Sequence, residues 1–141
     1  SACRVGSEMC IRDRRQSSRR KAYSRMTNTF FEKGKDKLED MIASIQHGYM
    51  LFETSNGMED PKNWAIQCVA QYGIEIVDGK LTDNYVAPVV MSGYVPDLLK
   101  SISMISDDFE ISGSGYCGKG YKEWVRVSDG GPALKVRVKL G

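Results

Sequence analysis

Gly113-Ser114-Gly115-Tyr116-Cys117-Gly118-Lys119-Gly120 is the stretch that decides how the rest of this chain is organised, and four of its eight residues are glycine. Glycine reaches backbone conformations closed to other residues. The spacing therefore predicts a glycine-rich turn that carries one thiol, Cys117, at the mouth of a β-structure. A cysteine held in that way is a candidate metal ligand or nucleophile. The alternative is a small apolar side chain filling a tight turn.

The flanks support a β-rich setting. Upstream, Pro96 followed by Leu98, Leu99, Ile102 and Ile105 predicts a helix that Ser106-Asp107-Asp108 ends. Downstream, residues 109–111, 123–127 and 133–140 predict strands. In the last of these Leu134, Val136, Val138 and Leu140 alternate with Lys135, Arg137 and Lys139, the pattern of a half-buried strand with a solvated basic face.

Further from the glycine stretch, residues 24–31 alternate with aromatic and β-branched content and predict a strand that Gly34 breaks. From Asp36, Leu38, Met41, Ile42 and Ile45 fall at helical spacing, with Gly48 as the C-cap. His47, the sole histidine of the chain, then falls in the last helical turn, where an imidazole interacts well with the helix dipole. No second ligand stands three or four residues away, so a structural role is expected. Residues 49–52 predict a short strand, and residues 53–63 a polar loop containing Asn56-Gly57 and Asp60-Pro61. Two strands are expected over 64–70 and 72–77, and Asp78-Gly79 before Lys80-Leu81 signals a type I′ hairpin. Residues 86–91 continue the meander, with Pro88 placing them at an edge or bulge. The sum is an α+β fold: a β-rich sandwich or open barrel of mostly antiparallel strands with two packed helices, and no internal repeat.

Charge and composition exclude several function classes. Residues 1–25 hold eight of the 20 Lys and Arg and two of the 18 Asp and Glu, so the remainder carries a net charge of −4. Such a body offers no continuous basic face for nucleic acid. No apolar run approaches ~18 residues, so no membrane span is expected. Of the four cysteines, Cys3 and Cys10 lie in the basic opening segment. Cys68 and Cys117 remain, too few for a disulfide framework, which fits a reducing cytoplasm. Cys68, with Ile66, Val69 and Ala70 around it, is expected to be buried and inert. The opening run Val5-Gly6-Ser7-Glu8-Met9-Cys10-Ile11-Arg12-Asp13-Arg14 shows no hydrophobic period and resembles the translation of a transposon-end sequencing adaptor. It is set aside as an adaptor scar, with residues 1–20 as scar and disordered junction and residues 21–141 as one domain.

Arg25-Met26-Thr27-Asn28-Thr29-Phe30-Phe31, Gly79-Lys80, Ser106-Asp107-Asp108-Phe109, Tyr116-Cys117-Gly118-Lys119 and Val127-Ser128-Asp129-Gly130-Gly131-Pro132-Ala133-Leu134 occur in that order. Together they resemble the C-terminal domain of the TldD/PmbA family of zinc metallopeptidases, over residues 25–141. The resemblance implies a TldD-type subunit that cleaves unfolded or short peptides, as a homodimer or paired with a PmbA (TldE)-type subunit. It also implies zinc held by two histidines of a His-Glu-x-x-x-His helix and by one cysteine, which Cys117 matches. No His-Glu-x-x-x-His string is present in these 141 residues. The chain is therefore expected to be a fragment that supplies one zinc ligand and is inactive alone, since a hydrolytic zinc site needs three protein ligands.

Cysteine suits that position because a thiolate neutralises part of the zinc charge. For substrate binding the candidates are Arg25, Asn28 and Gly118, with a structural strand-start role weighed beside a substrate-facing one for Arg25 and Asn28. The alternative function is the same domain in a catalytically silent PmbA (TldE)-type partner with a structural or substrate-binding role. A cysteine hydrolase would need a histidine beside the thiol, and His47 is the sole candidate.

Overall fold

The computed structural model describes residues 11–141; residues 1–10, which include most of the run set aside as a scar, lie outside the described residues. In chain order the strands and helices are β1 (Ile11–Arg14), β2 (Tyr23–Met26), β3 (Asn28–Phe30), α1 (Leu38–Ala43), β4 (His47–Asp60), β5 (Ala65–Val77) and β6 (Lys80–Val86). There follow β7 (Val89–Tyr94), α2 (Val95–Lys100), β8 (Met104–Ile105), β9 (Glu110–Lys119), β10 (Glu123–Gly131), β11 (Leu134–Lys135) and β12 (Lys139–Leu140). The fold class is the expected one, strand-rich and mostly antiparallel with two short helices. Its sheets end in edge strands, so the open, sandwich-like form is present and the closed barrel is not.

The chain divides into two units, Ser1–Gly34 with Asp107–Ala133, and Lys35–Ser106 with Leu134–Gly141. In the first, β9 and β10 form an antiparallel hairpin, and β3 joins the far side of β10 in parallel. Cys117 stands opposite Val125 and Gly118 opposite Trp124. Residues 113–119 of the glycine stretch are thus strand, and only Gly120 belongs to the turn. The chain reverses only at residues 120–122, where Gly120 and Lys122 take positive φ of 56° and 54°. The glycines serve close packing: a β-carbon at Gly115 would strike the Asp129 side chain, and one at Gly118 the Trp124 ring. Gly130 adopts φ 152°, and a β-carbon there would collide with the Glu110 carbonyl oxygen, which accounts for the Gly130-Gly131 pair. Phe30 and Phe109 meet edge to face at 5.3 Å.

Within the segment set aside, Ile11–Arg14 forms β1, antiparallel to β2 with Arg14 opposite Tyr23. Residues 17–20 make a turn closed by the Arg20 amide on the Ser17 carbonyl at 3.1 Å. Four residues are too few for a hydrophobic period to announce a strand, whose pairing here is carried by backbone bonds. Residues 24–31 likewise form two strands, β2 and β3, interrupted at Thr27.

The second unit is built on β5. Along one side it pairs with β4. Along the other it pairs with β6 over Gly73–Val77 and with β7 over Ala65–Ala70, and β12 adds beyond β7. The hairpin at Asp78-Gly79 is as expected: φ is 48° and 76°, and Val77 faces Lys80. Pro88 sits between β6 and β7 behind a cis peptide bond, and β7 itself is internal to the sheet, which corrects the edge assignment. Met41, Ala70, Ile76 and Val89 are buried here.

Several boundaries moved because sheet pairing competed with helix propagation. The first helix ends at Ala43, since the amides of Asp78 and Gly79 take the Gln46 and Ile45 carbonyls at 2.7 and 2.8 Å. His47 and Gly48 open β4 and do not cap the helix. The second helix ends at Lys100, and Met104–Ile105 pair with Leu134–Lys135. The polar loop expected over 53–63 is mostly strand: β4 runs to Asp60, with Glu53 at φ 52° and an irregularity between Ser55 and Met58. The two strands expected between 64 and 77 are one, β5. The alternating C-terminal run is split between β11 and β12, which belong to different sheets.

Candidate functional site

Cys117 lies three residues before the hairpin turn, on a strand exposed along most of its length, and its own side chain is half-buried. The thiol is free. Beneath this hairpin end the first unit is centred on charge. Among its described residues Val127 is the one buried apolar side chain, and Arg25 at 1% exposure and Glu123 at 6% are buried as well.

Arg25 is placed there by β2, whose burial alternates so that Arg25 points inward between the exposed Ser24 and Met26. Its Nη1 donates to the Cys117 carbonyl at 2.9 Å and to the Glu123 carbonyl at 2.8 Å, while Nε donates to the Arg14 carbonyl at 3.0 Å. One guanidinium thus bonds three strands, β1, β9 and β10. Nη2 lies 3.8 Å from Glu123 Oε2, and Arg20 reaches the other carboxylate oxygen at the same distance. The planar fork of arginine suits this, because its donors are fixed in direction. Arg14 reciprocates by donating to the Met26 and Arg126 carbonyls, each at 3.0 Å.

Of the other residues singled out, Asn28 is exposed on β3 opposite Ser128, and Gly118 is covered by the Trp124 ring. For Arg25 the contacts fit the structural alternative, since the side chain faces backbone and not solvent. His47 begins β4 and is 65% exposed, with Nε2 donating to Glu75 Oε1 at 3.3 Å. Cys68 is half-buried on β5, and burial pushes its thiol above the ordinary range. Glu123 escaped the sequence reading. It carries no motif, and the one available signal was a carboxylate at the start of a predicted apolar strand.

Among the described residues, no group of three or more His, Cys, Asp or Glu side chains is arranged to hold a metal ion.

A family model, the PmbA/TldA metallopeptidase C-terminal domain, matches residues 1–139, and the chain belongs to this TldD/PmbA family as its C-terminal domain. It is 34% identical over 129 residues to the zinc metalloprotease TldD homolog of Saccharolobus solfataricus, covering 91% of this chain and 28% of that protein. It is 31% identical over 126 residues to the metalloprotease TldD homolog of Buchnera aphidicola subsp. Acyrthosiphon pisum, covering 85% of this chain and 26% of the relative. The crystal structure of TldE from Thermococcus kodakarensis shares the fold at a TM-score of 0.66 and 20% identity, over 91% of this chain and 26% of that one. The chain thus spans about a quarter of the length of these proteins. No helix of the described residues is long and apolar enough to cross a membrane.

Proposed function

We propose that this chain is the C-terminal domain of a TldD-type zinc metallopeptidase acting on unfolded or short peptides, and that Cys117 is the zinc ligand it supplies. The observation that carries the reading is the placement of Cys117: a free, half-open thiol on a glycine-rich edge strand whose backbone is fixed by a buried arginine. The relatives' names support the TldD side of the family. The remaining ligands and the general base would come from residues outside this chain, so the chain alone is expected to hydrolyse nothing. Zinc in such a site supplies an activated water and polarises a scissile carbonyl.

Among the described residues β9 has a strand partner on one side only, which suits pairing with an extended peptide through backbone bonds and hence weak sequence preference. A homodimer or a pairing with a PmbA (TldE)-type subunit would cover surface such as Tyr116 and Tyr121, exposed by 59% and 79%. Two free thiols among the described residues suit a cytoplasmic setting.

The test is made in a longer chain that carries this domain. Cys117→Ser and Cys117→Ala should lose bound zinc, measured by elemental analysis, together with hydrolysis of an unfolded casein substrate. Zinc retained at one equivalent in both variants would refute the ligand role. Zinc held normally by a parent chain without peptide hydrolysis would instead favour the silent-partner alternative.

A further inference from the structure

We infer that Arg25 is the positioning residue for Cys117, a buried clamp, seated by Glu123, that fixes the backbone carrying the thiol; this deepens the reading of Cys117 as a metal ligand and rests on it. The strand needs such a clamp. Among the described residues β9 pairs on one side only, and Gly113, Gly115 and Gly118 give it little side-chain packing while raising the entropy lost when it is ordered. Its alignment near Cys117 therefore depends on contacts made by other elements.

Arg25 makes them from below. A single nitrogen, Nη1, donates to Cys117 on one arm of the hairpin and to Glu123 on the other, so the two arms are tied on either side of the turn. Nε holds the guanidinium to β1 through the Arg14 carbonyl. Arg25 Nη2 and Glu123 Oε2 are buried, 3.8 Å apart, and have no hydrogen-bond partner. The carboxylate therefore compensates the buried charge without redirecting the donors, and the directional contacts are those to the backbone. At 1% exposure Arg25 touches no solvent-borne molecule. Its effect on the thiol passes through the Cys117 carbonyl. Lysine would be a poor substitute, because one ammonium does not reproduce a rigid fork spanning Arg14 and the hairpin.

The test is site-resolved alkylation of the native chain by iodoacetamide, read by mass spectrometry, with amide hydrogen exchange at residues 28–30 as the check that the sheet persists. Arg25→Met/Glu123→Met removes the clamp and leaves no buried charge unpaired. It should raise the Cys117 labelling rate by about tenfold or more, the change in local opening that follows loss of one charge-assisted hydrogen bond. Cys68 labelling and protection at residues 28–30 should stay as in the parent. Arg25→Lys should give a smaller rise of the same kind, and if the double variant fails to fold it decides the matter alone. A parental Cys117 rate in the folded double variant, or in Arg25→Lys where that stands alone, overturns the clamp. So does loss of protection at residues 28–30 in Arg25→Lys. Labelling needs no metal, so failure of the zinc-ligand reading shows only in the metal content of Cys117→Ser, and failure of the clamp shows only here.

Discussion

Trp124 lays its indole across Gly118, the residue opposite it in the β9–β10 ladder, so closely that a β-carbon built on Gly118 would stand 2.5 Å from the ring. The indole covers backbone that glycine leaves bare, directly beside Cys117. Gly118→Ala should push the ring off the strand and destabilise the first unit by about 1–2 kcal/mol. Urea unfolding in a Trp64→Phe background, where Trp124 is the remaining tryptophan, measures it. An unchanged midpoint would mean that the ring swings aside freely.

Gly79 tests the hairpin of the second unit. At φ 76° a β-carbon is strained, and it would also lie 2.6 Å from the Ala43 carbonyl oxygen, which is backbone and has nowhere to turn. Gly79→Ala should cost about 2 kcal/mol or more. Gly57, with nothing within 4 Å of a built β-carbon, is the control, and its alanine variant should change stability by no more than about 0.5 kcal/mol. Equal melting curves for the two variants would contradict this account of the turn.

Acid sensitivity should trace in part to Glu75. Hydrogen bonds from Asn84, the largest contribution, and then from His47 hold its carboxyl below the ordinary glutamate range. A lowered folded value means that the linked stability is complete above the unfolded value of about 4.3 and is lost as pH falls through the folded one. Asn84→Ala should shift the Glu75 titration midpoint upward in a carboxyl-detected NMR titration. Identical midpoints would show that the amide contributes nothing.

Cys68 provides a second pH readout. Because burial raises its thiol, its alkylation rate should keep climbing with pH well beyond about 8.5, the ordinary thiol value. A plateau near that value, resolved by peptide mass spectrometry, would place the sulfur in water.

Local chemistry was legible where it was self-contained. Asp78-Gly79 needs positive φ at both positions, and sequence alone says so; Pro96 at the start of α2 is equally direct. What the sequence hid was competition between distant segments. Ile45 and Gln46 look helical until the amides of Asp78 and Gly79 claim their carbonyls, and Val136 and Val138 look like the middle of one strand that in fact bridges two sheets. The site divides in the same way. Cys117 announced itself through its glycines, although Gly115 and Gly118 turned out to receive Asp129 and Trp124, and only Gly120 bends the chain. Arg25 was visible only as part of a motif. Glu123 had no sequence signal of its own, because its burial depends on an arginine 98 residues away.

The nesting of the two units has a consequence for how the protein comes to be folded. The body of the second unit is inserted between the two segments of the first, and the second unit in turn takes back residues 134–141 after the first has ended. Val90 and Gly141 exchange backbone bonds at 2.8 and 3.0 Å, so a sheet begun at His47 acquires its last rung only when synthesis has reached its distal strand. The first unit cannot be finished until the body of the second has been synthesised, and the second cannot be finished until the first is complete in sequence. Folding should therefore be comparatively slow, since both units close on contacts of long sequence separation, and β3 waits for its β10 partner within reach of chaperones or of other nascent chains.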